Sequence, residues 1–245
     1  MSETRPTVVL VHGAFADASS WNGVIERLRA KGVPVTAPAN PLRGIAHDSA
    51  YTAAVFEQIE GPVLAVGHSY GGAVITNAAT DAKNVVGLVF VAAFAPDQGE
   101  TLGAVEADSK DSVLNSALVP RRYPTADGGF ATEFYIDPAK ARDAFAGDLS
   151  NEQAALIAAT QRPVAEAAFS EPNGPPAWKN LPSWTVVATG DKAAGTDVVR
   201  SMAERAGATI TEVEGSHVIM VSQPQAVTDV ILEAVAAVAA VPVVA

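Results

Sequence analysis

The chain has 245 residues, no cysteine and a formal net charge of −11. That length suits one α/β domain with an insertion, and the missing cysteines exclude disulfides and thiolate metal sites. The acidic balance argues against nucleic acid or an anionic membrane surface as a partner, because both require clustered Lys and Arg. Hydrophobic residues make up 49% of the chain and aromatic ones only 6%, so the core must be built from Ala, Val, Leu and Ile. Such a chain can bury a large core and needs no staples. Met1–Pro6 lacks the basic start and apolar centre of a signal peptide. The apolar run Ala234–Ala245 is too short to span a bilayer and reads as the end of a terminal helix. A cytoplasmic protein is the expectation.

Thr7–Val11 is a continuous apolar run, the pattern of a strand buried on both faces. It ends in His12-Gly13-Ala14-Phe15, where Gly13 permits a tight turn. Asp17 to Ser20 supplies helix caps, and Trp21, Val24, Ile25 and Leu28 follow at helical spacing until Gly32. Val33–Ala37 is a short strand, Pro38–Asp48 a loop and Ala50–Ile59 a helix. Val63–Val66 is the next buried strand. It runs into Gly67-His68-Ser69-Tyr70-Gly71, a G-x-S-x-G match, and from Ala73 the pattern turns helical. Val85–Ala92 is a fourth strand. This alternation predicts a parallel sheet with helices on both faces, and places the ligand site beyond the carboxyl ends of the strands.

From Pro96 to about Pro182 the alternation breaks down. Asp137–Phe145 and Ser150–Ala159 read as short helices, and Pro and Gly punctuate the rest. Residues 1–95 and 183–245 are therefore expected to form the core, with 96–182 a small helical lid over the strand ends, since connections this long are usually functional. The sheet resumes at Ser183–Thr189, followed by Gly190-Asp191. A helix over Thr196–Ala206, a strand over Thr209–Val213, the turn Glu214–His217 and a helix over Gln225–Val238 complete the chain.

The strand–turn–helix around Ser69 has a chemical rationale. A sharp turn projects the hydroxyl above the sheet, and the flanking glycines remove side chains that would collide. The helix start behind Ser69 favours an oxyanion. A serine hydroxyl needs a base, and the base needs a partner that fixes its tautomer. Of the four histidines, His12 sits in the first turn and is expected to organise it. His47 lies in a polar loop. His68 adjoins the nucleophile and should pack below the turn. His217 follows the last strand and is the expected base. Asp191, directly after its strand, is the expected acid. Asp97 is the runner-up, and Asp197 reads as a helix cap.

His12-Gly13, Gly67-x-Ser69-x-Gly71, Asp191 and His217, in this order, resemble the α/β-hydrolase superfamily over essentially the whole chain. Val11-His12-Gly13-Ala14-Phe15 followed by Trp21, and Val213-Glu214-Gly215-Ser216-His217, are similar to small esterases that group with plant methylesterases and hydroxynitrile lyases. The stretches Gly67-His68-Ser69-Tyr70-Gly71-Gly72 and Phe94-Ala95-Pro96-Asp97-x-Gly99-Glu100 resemble a group of bacterial α/β-fold hydrolases. The resemblance implies Ser69 as nucleophile, His217 as base and Asp191 as acid, with an oxyanion hole from the backbone N–H groups of Ala14 and Tyr70. It also implies about six parallel strands, because the sheet begins at what is usually the third family strand. Lyases of the branch typically carry Thr where Gly13 stands and Lys where Val218 stands; related dehalogenases use an Asp nucleophile. The expected activity is hydrolysis of a small or medium uncharged carboxylic ester, with no metal or organic cofactor. A lactonase, another cofactor-free enzyme of the fold and a triad-retaining receptor for a small ligand are the alternatives. Phe15, Trp21, Phe94 and Val218 are expected at the substrate, with Tyr70 and the insertion's Phe130, Phe134 and Phe169 as further candidates. Oligomeric state is left open, a homodimer included.

Overall fold

The structure, a computed structural model, describes residues 5–239. The start of Met1–Pro6 and the end of the Ala234–Ala245 run lie outside the described residues. The core opens with β1 (Thr7–Val11), α1 (Asn22–Ala30), β2 (Val35–Thr36), α2 (Ile45–Glu57), β3 (Val63–His68), α3 (Tyr70–Ala78) and β4 (Val85–Val91). The insertion follows with α4 (Leu102–Ala107), β5 (Leu118–Pro124), β6 (Phe130–Ile136), α5 (Ala141–Phe145), α6 (Asn151–Thr160), β7 (Val164–Ala165) and α7 (Ala167–Ser170). The core then resumes with β8 (Ser183–Ala188), α8 (Thr196–Arg205), β9 (Thr209–Val213), α9 (Ile219–Ser222) and α10 (Pro224–Ala239).

Six parallel strands form one sheet in the order β2-β1-β3-β4-β8-β9. β3 and β8 are buried along their whole length, and β1 and β4 at all but one position each. From β1 the chain moves outward to β2 and then returns to place β3 on the other side of β1. The strand order therefore reverses at β1 and β3, where such sheets open a crevice at the strand ends. The turns after these two strands carry Gly13 and Ser69. No helix among the described residues is long and apolar enough to cross a membrane.

β2 is shorter than the expected Val33–Ala37, α5 begins at Ala141 rather than Asp137, and two larger differences follow. α2 begins at Ile45 rather than Ala50, inside the expected loop. Both carboxylate oxygens of Asp48 accept the Arg43 N–H (3.1 and 3.0 Å), which ties the loop to the first helical turn. The insertion, expected to be helical, also contains an antiparallel sheet in the order β5-β6-β7. Pro120 and Pro124 hid its first strand. They are tolerated because β5 is an edge strand with one hydrogen-bonded neighbour.

Candidate active site

Ser69 is the hinge between β3 and α3. Its backbone sits at φ 53°, ψ −124°, a conformation that L-residues rarely adopt. The glycines around it are there because backbone occupies the space of a side chain. A Cβ on Gly67 would lie 2.5 Å from the Gly71 carbonyl oxygen, and one on Gly72 would lie 2.5 Å from the Phe94 carbonyl oxygen. The Ser69 amide donates to the Val91 carbonyl (3.3 Å), and its own carbonyl accepts from Gly72 (2.9 Å) and Phe94 (3.2 Å). The turn is thus pinned to β4 and to the first turn of α3.

The turn after β1 packs directly on this one. A Cβ on Gly13 would come within 2.6 Å of the Ser69 Cβ and 2.9 Å of both the His68 carbonyl oxygen and Nδ1. His12 organises this turn as expected. Its Nε2 accepts the Asn40 N–H (2.9 Å), so Nδ1 carries the proton and donates to the Gly13 carbonyl (2.9 Å). The Asn40 side-chain amide donates to the His12 carbonyl (3.0 Å). Burial holds the His12 pKa below its ordinary value, which keeps the ring neutral. Among the described residues, the backbone N–H groups of Ala14 and Tyr70 donate to no other group. Tyr70 opens α3, where N–H groups are free by construction. Its hydroxyl donates to the buried Asp48 (2.8 Å).

His217 and Asp191 meet at the same rim. His217 Nδ1 lies 2.8 Å from Asp191 Oδ2, and the two residues are 2% and 1% exposed. The other Asp191 oxygen accepts the N–H groups of Ala193 (2.9 Å) and Ala194 (3.0 Å). These three bonds orient the carboxylate and leave Nε2 as the free nitrogen of His217. His68, next to Ser69, lies under His217 with ring centroids 4.7 Å apart, and its Nε2–H donates to the His217 carbonyl (2.9 Å). Burial, reinforced by the His217 ring, holds the His68 pKa well below the ordinary value. His68 is therefore a neutral prop, as its position beneath the turn predicted.

The other candidate acids face elsewhere. Asp97 pairs with Lys179 (2.5 Å). Asp197 lies in the first turn of α8, but its carboxylate accepts from the Ser109 hydroxyl (2.6 Å) and the Lys110 N–H (2.8 Å) of the insertion. His47 is in α2, largely exposed and paired with Asp48 (3.1 Å).

A cavity of about 150 Å³ adjoins the site. Phe15, Phe145, Leu156, Ile157, Val218 and Val221 form its apolar wall, and Asp17, Ser19, Ser20 and Thr160 its rim. Phe145 joins it to the His217–Asp191 pair, with its ring 5.0 Å from His217 and edge-on to Phe15 at 6.2 Å. Hollows of about 650 and 390 Å³ lie at the amino ends of the strands, around Arg5, Lys31 and Val33, away from Ser69 and His217. Of the expected substrate residues, Phe15 and Val218 line the cavity. Trp21 is fully buried with its ring 6.3 Å from His68, and Phe94 is buried beside Gly72, so both belong to the core. Phe134 and Phe169 pack on each other at 6.2 Å, and Phe130 is exposed on the β5–β6 hairpin. None of the three lines the cavity.

The alpha/beta hydrolase family matches this chain over residues 8–230. The chain belongs to that family. No curated protein sequence matches it. Solved hydrolase structures share the fold closely. Polyneuridine aldehyde esterase superposes with a TM-score of 0.79 at 22% identity, covering 94% of this chain and 99% of that one. A pyrethroid hydrolase from Sphingobium faniae gives 0.77 at 20% identity, covering 96% and 98%. The methylesterase MES16 from Arabidopsis gives 0.77 at 19%, covering 94% and 99%. At these identities the likeness is one of fold.

Four participants in this hydrolase-fold site escaped sequence reasoning: Asn40, which fixes the His12 tautomer; Phe145, which walls His217; and Asp148 with Ser216, which bond to each other beside it. Asn40 and Phe145 act across 28 and 72 positions of sequence, and neither sits in a motif.

Proposed function

We propose that this chain is a serine hydrolase that cleaves a small or medium uncharged carboxylic ester by two-step acyl transfer. The observation that carries the proposal is the buried His217–Asp191 bond at the rim where Ser69 stands on its strained turn. Asp191 fixes the proton on His217 Nδ1, so Nε2 is the basic nitrogen. Ser69 attacks the ester carbonyl as Nε2 takes its proton. The N–H groups of Ala14 and Tyr70 stabilise the oxyanion, a contribution of about 3 kcal/mol per donor in comparable enzymes. His217 then protonates the leaving alcohol and activates the water that releases the acid.

The cavity supports a substrate class. Its volume, about 150 Å³, matches that of an apolar cavity known to hold benzene, so one small ring or a short branched chain fits. Burial raises the Asp17 carboxyl, but hydrogen bonds from Ser19 outweigh it and hold the pKa below the ordinary value. The rim therefore carries a carboxylate, with the Arg162 charge nearby. Ester chemistry also agrees with the esterase, methylesterase and pyrethroid hydrolase named above. Lyase chemistry fits less well: Val218 faces the cavity where the lyase Lys would stand, and Gly13 has no room for a Thr beside Ser69.

The test compares wild type with Ser69→Ala on p-nitrophenyl esters of increasing acyl length, alongside a fluorophosphonate and mass spectrometry. Wild type is expected to turn over and label at Ser69, and the variant to do neither while keeping its melting temperature. Turnover surviving in Ser69→Ala refutes the mechanism.

A further inference from the structure

The turn Glu214–His217 must present the base to Ser69, and it is short and glycine-containing. Besides the His217–Asp191 bond, three tethers hold it. The Gly190 N–H donates to the Gly215 carbonyl (2.9 Å), and His68 Nε2–H donates to the His217 carbonyl (2.9 Å). Both come from the core. The third comes from the insertion: the Ser216 hydroxyl donates to Asp148 Oδ1. Asp148 lies in the link between α5 and α6, three residues after Phe145, whose ring walls His217. The contact is close along the backbone as well. A Cβ on Gly215 would lie 2.7 Å from Asp148 Oδ2 and would collide with Ile219. Ser216 is buried, while the far side of Asp148 faces solvent.

We propose that Asp148 is a positioning residue for the general base: by holding Ser216 it fixes the turn from which His217 projects, and so couples the insertion to the nucleophile's activation. The inference rests on reading His217 as the base of Ser69. The electrostatics agree with it. Burial raises the Asp148 carboxyl, but the Ser216 and Ser222 hydroxyls beside it outweigh burial and hold it below the ordinary carboxylate range. The insertion also braces the acid's turn. The Val113 N–H donates to the Lys192 carbonyl (2.8 Å), and the Ser112 hydroxyl donates to the Ala193 carbonyl (2.8 Å). Acid and base turns are thus each tied to the same insertion, and Asp148 makes the side-chain bond to the base's turn.

The experiment measures two quantities in wild type, Asp148→Ala, Asp148→Asn, Ser216→Ala and the double variant Asp148→Ala/Ser216→Ala. One is the rate of fluorophosphonate labelling at Ser69. The other is the low-field proton resonance of His217 Nδ1–H. Small displacements of a catalytic group cost large factors in rate, so Asp148→Ala is expected to label about ten- to hundredfold more slowly and to broaden the low-field resonance. Its melting temperature should stay near that of wild type, because the two core tethers remain. Asp148→Asn keeps an oxygen for the Ser216 hydroxyl and should restore most of the rate. Ser216→Ala should reproduce the loss, and the double variant should be no slower than either single one. Equal labelling rates and equal resonances in wild type and Asp148→Ala overturn the proposal. So does a full further loss on adding Asp148→Ala to Ser216→Ala. Ser216→Ala removes only a hydroxyl and keeps the test available if Asp148→Ala folds poorly. If wild type itself fails to label, the reading of Ser69 as nucleophile fails, and the resonance still decides whether Asp148 orders His217.

Discussion

Replacing Asp191 by Asn isolates the tautomer argument. The Asp191 carboxylate has no freedom: one oxygen accepts two backbone N–H groups at 2.9 and 3.0 Å, and the other meets His217 Nδ1 at 2.8 Å. An amide has one oxygen and one NH2. If its NH2 faced Ala193 and Ala194, donors would oppose donors and two buried bonds would be lost. The oxygen must therefore stay with the two amides, and the NH2 must point at His217 Nδ1. Nδ1 then has to accept, the proton moves to Nε2, and the base can no longer take a proton from Ser69. The same exchange in serine proteases lowers kcat about 10⁴-fold, or about 5.5 kcal/mol in the barrier. The fold should lose less, about 1–2 kcal/mol, because every bond is kept in weaker, uncharged form. Steady-state turnover of the best p-nitrophenyl ester, with thermal melts of both proteins, checks this. A variant that retains kcat within about tenfold of wild type refutes the argument and removes Asp191 from the mechanism.

Gly13→Ala places a methyl group 2.6 Å from the Ser69 Cβ and 2.9 Å from the His68 carbonyl oxygen. Backbone cannot yield cheaply, so a loss of about 1–3 kcal/mol and a fall in kcat are expected together; unchanged melting and turnover would show that the two turns are not in contact. Phe145→Ala removes the shared wall between His217 and the cavity. It should cost about 3–5 kcal/mol and move the preferred ester toward longer chains, and an unmoved chain-length optimum would place the substrate elsewhere. His12 and His68 are held neutral by burial. Their folded pKa values lie below the unfolded value near 6.5, so their stabilising effect is present above about pH 6.5 and is lost as pH falls. Each should contribute a slope of up to about 1.4 kcal/mol per pH unit between its two pKa values. Denaturant titrations at pH 7.5, 6 and 5 measure that slope, and a flat profile would mean that the two rings are not buried neutral.

Local signals in this chain were legible because they are enforced by local sterics. The Val63–Val66 run, the glycines about Ser69 and the helical spacing after Ala73 all act within ten residues, and the structure keeps β3, the turn and α3 in that order. His217 and Asp191 were also readable, since each follows a strand that the apolar pattern located, and parallel strands bring their carboxyl ends to one rim. The insertion was less legible. Its β5–β6 hairpin pairs Leu118–Pro124 with Phe130–Ile136, and the first of these carries Pro120, Arg121, Arg122 and Pro124, so it read as loop and left Phe130–Ile136 without a visible partner. The cavity wall was half-read for a related reason. Phe15, Trp21 and Phe94 are alike as buried aromatics, and only three-dimensional packing separates the one that lines the cavity from the two that fill the core.

An insertion bonded to both the Asp191 turn and the His217 turn cannot behave as a detachable cover. Lifting the segment that carries Ser112, Val113, Phe145 and Asp148 would break its bonds to Ala193, Lys192 and Ser216 and strip the Phe145 ring from His217. Ser69 and His217 themselves are only 6% and 2% exposed. The part of the cavity wall nearest solvent is its far side. There α6 presents Leu156, Ile157 and Thr160, with Leu156 largely exposed. Asp148 and the capping box at Ser150 stand just before that helix. The link between α5 and α6 thus divides the wall bonded to the Asp191 and His217 turns from the more exposed wall on α6. On this division, substitutions at Leu156 are expected to act on KM and chain-length preference and substitutions at Asp148 on kcat, which steady-state kinetics over the ester series would check.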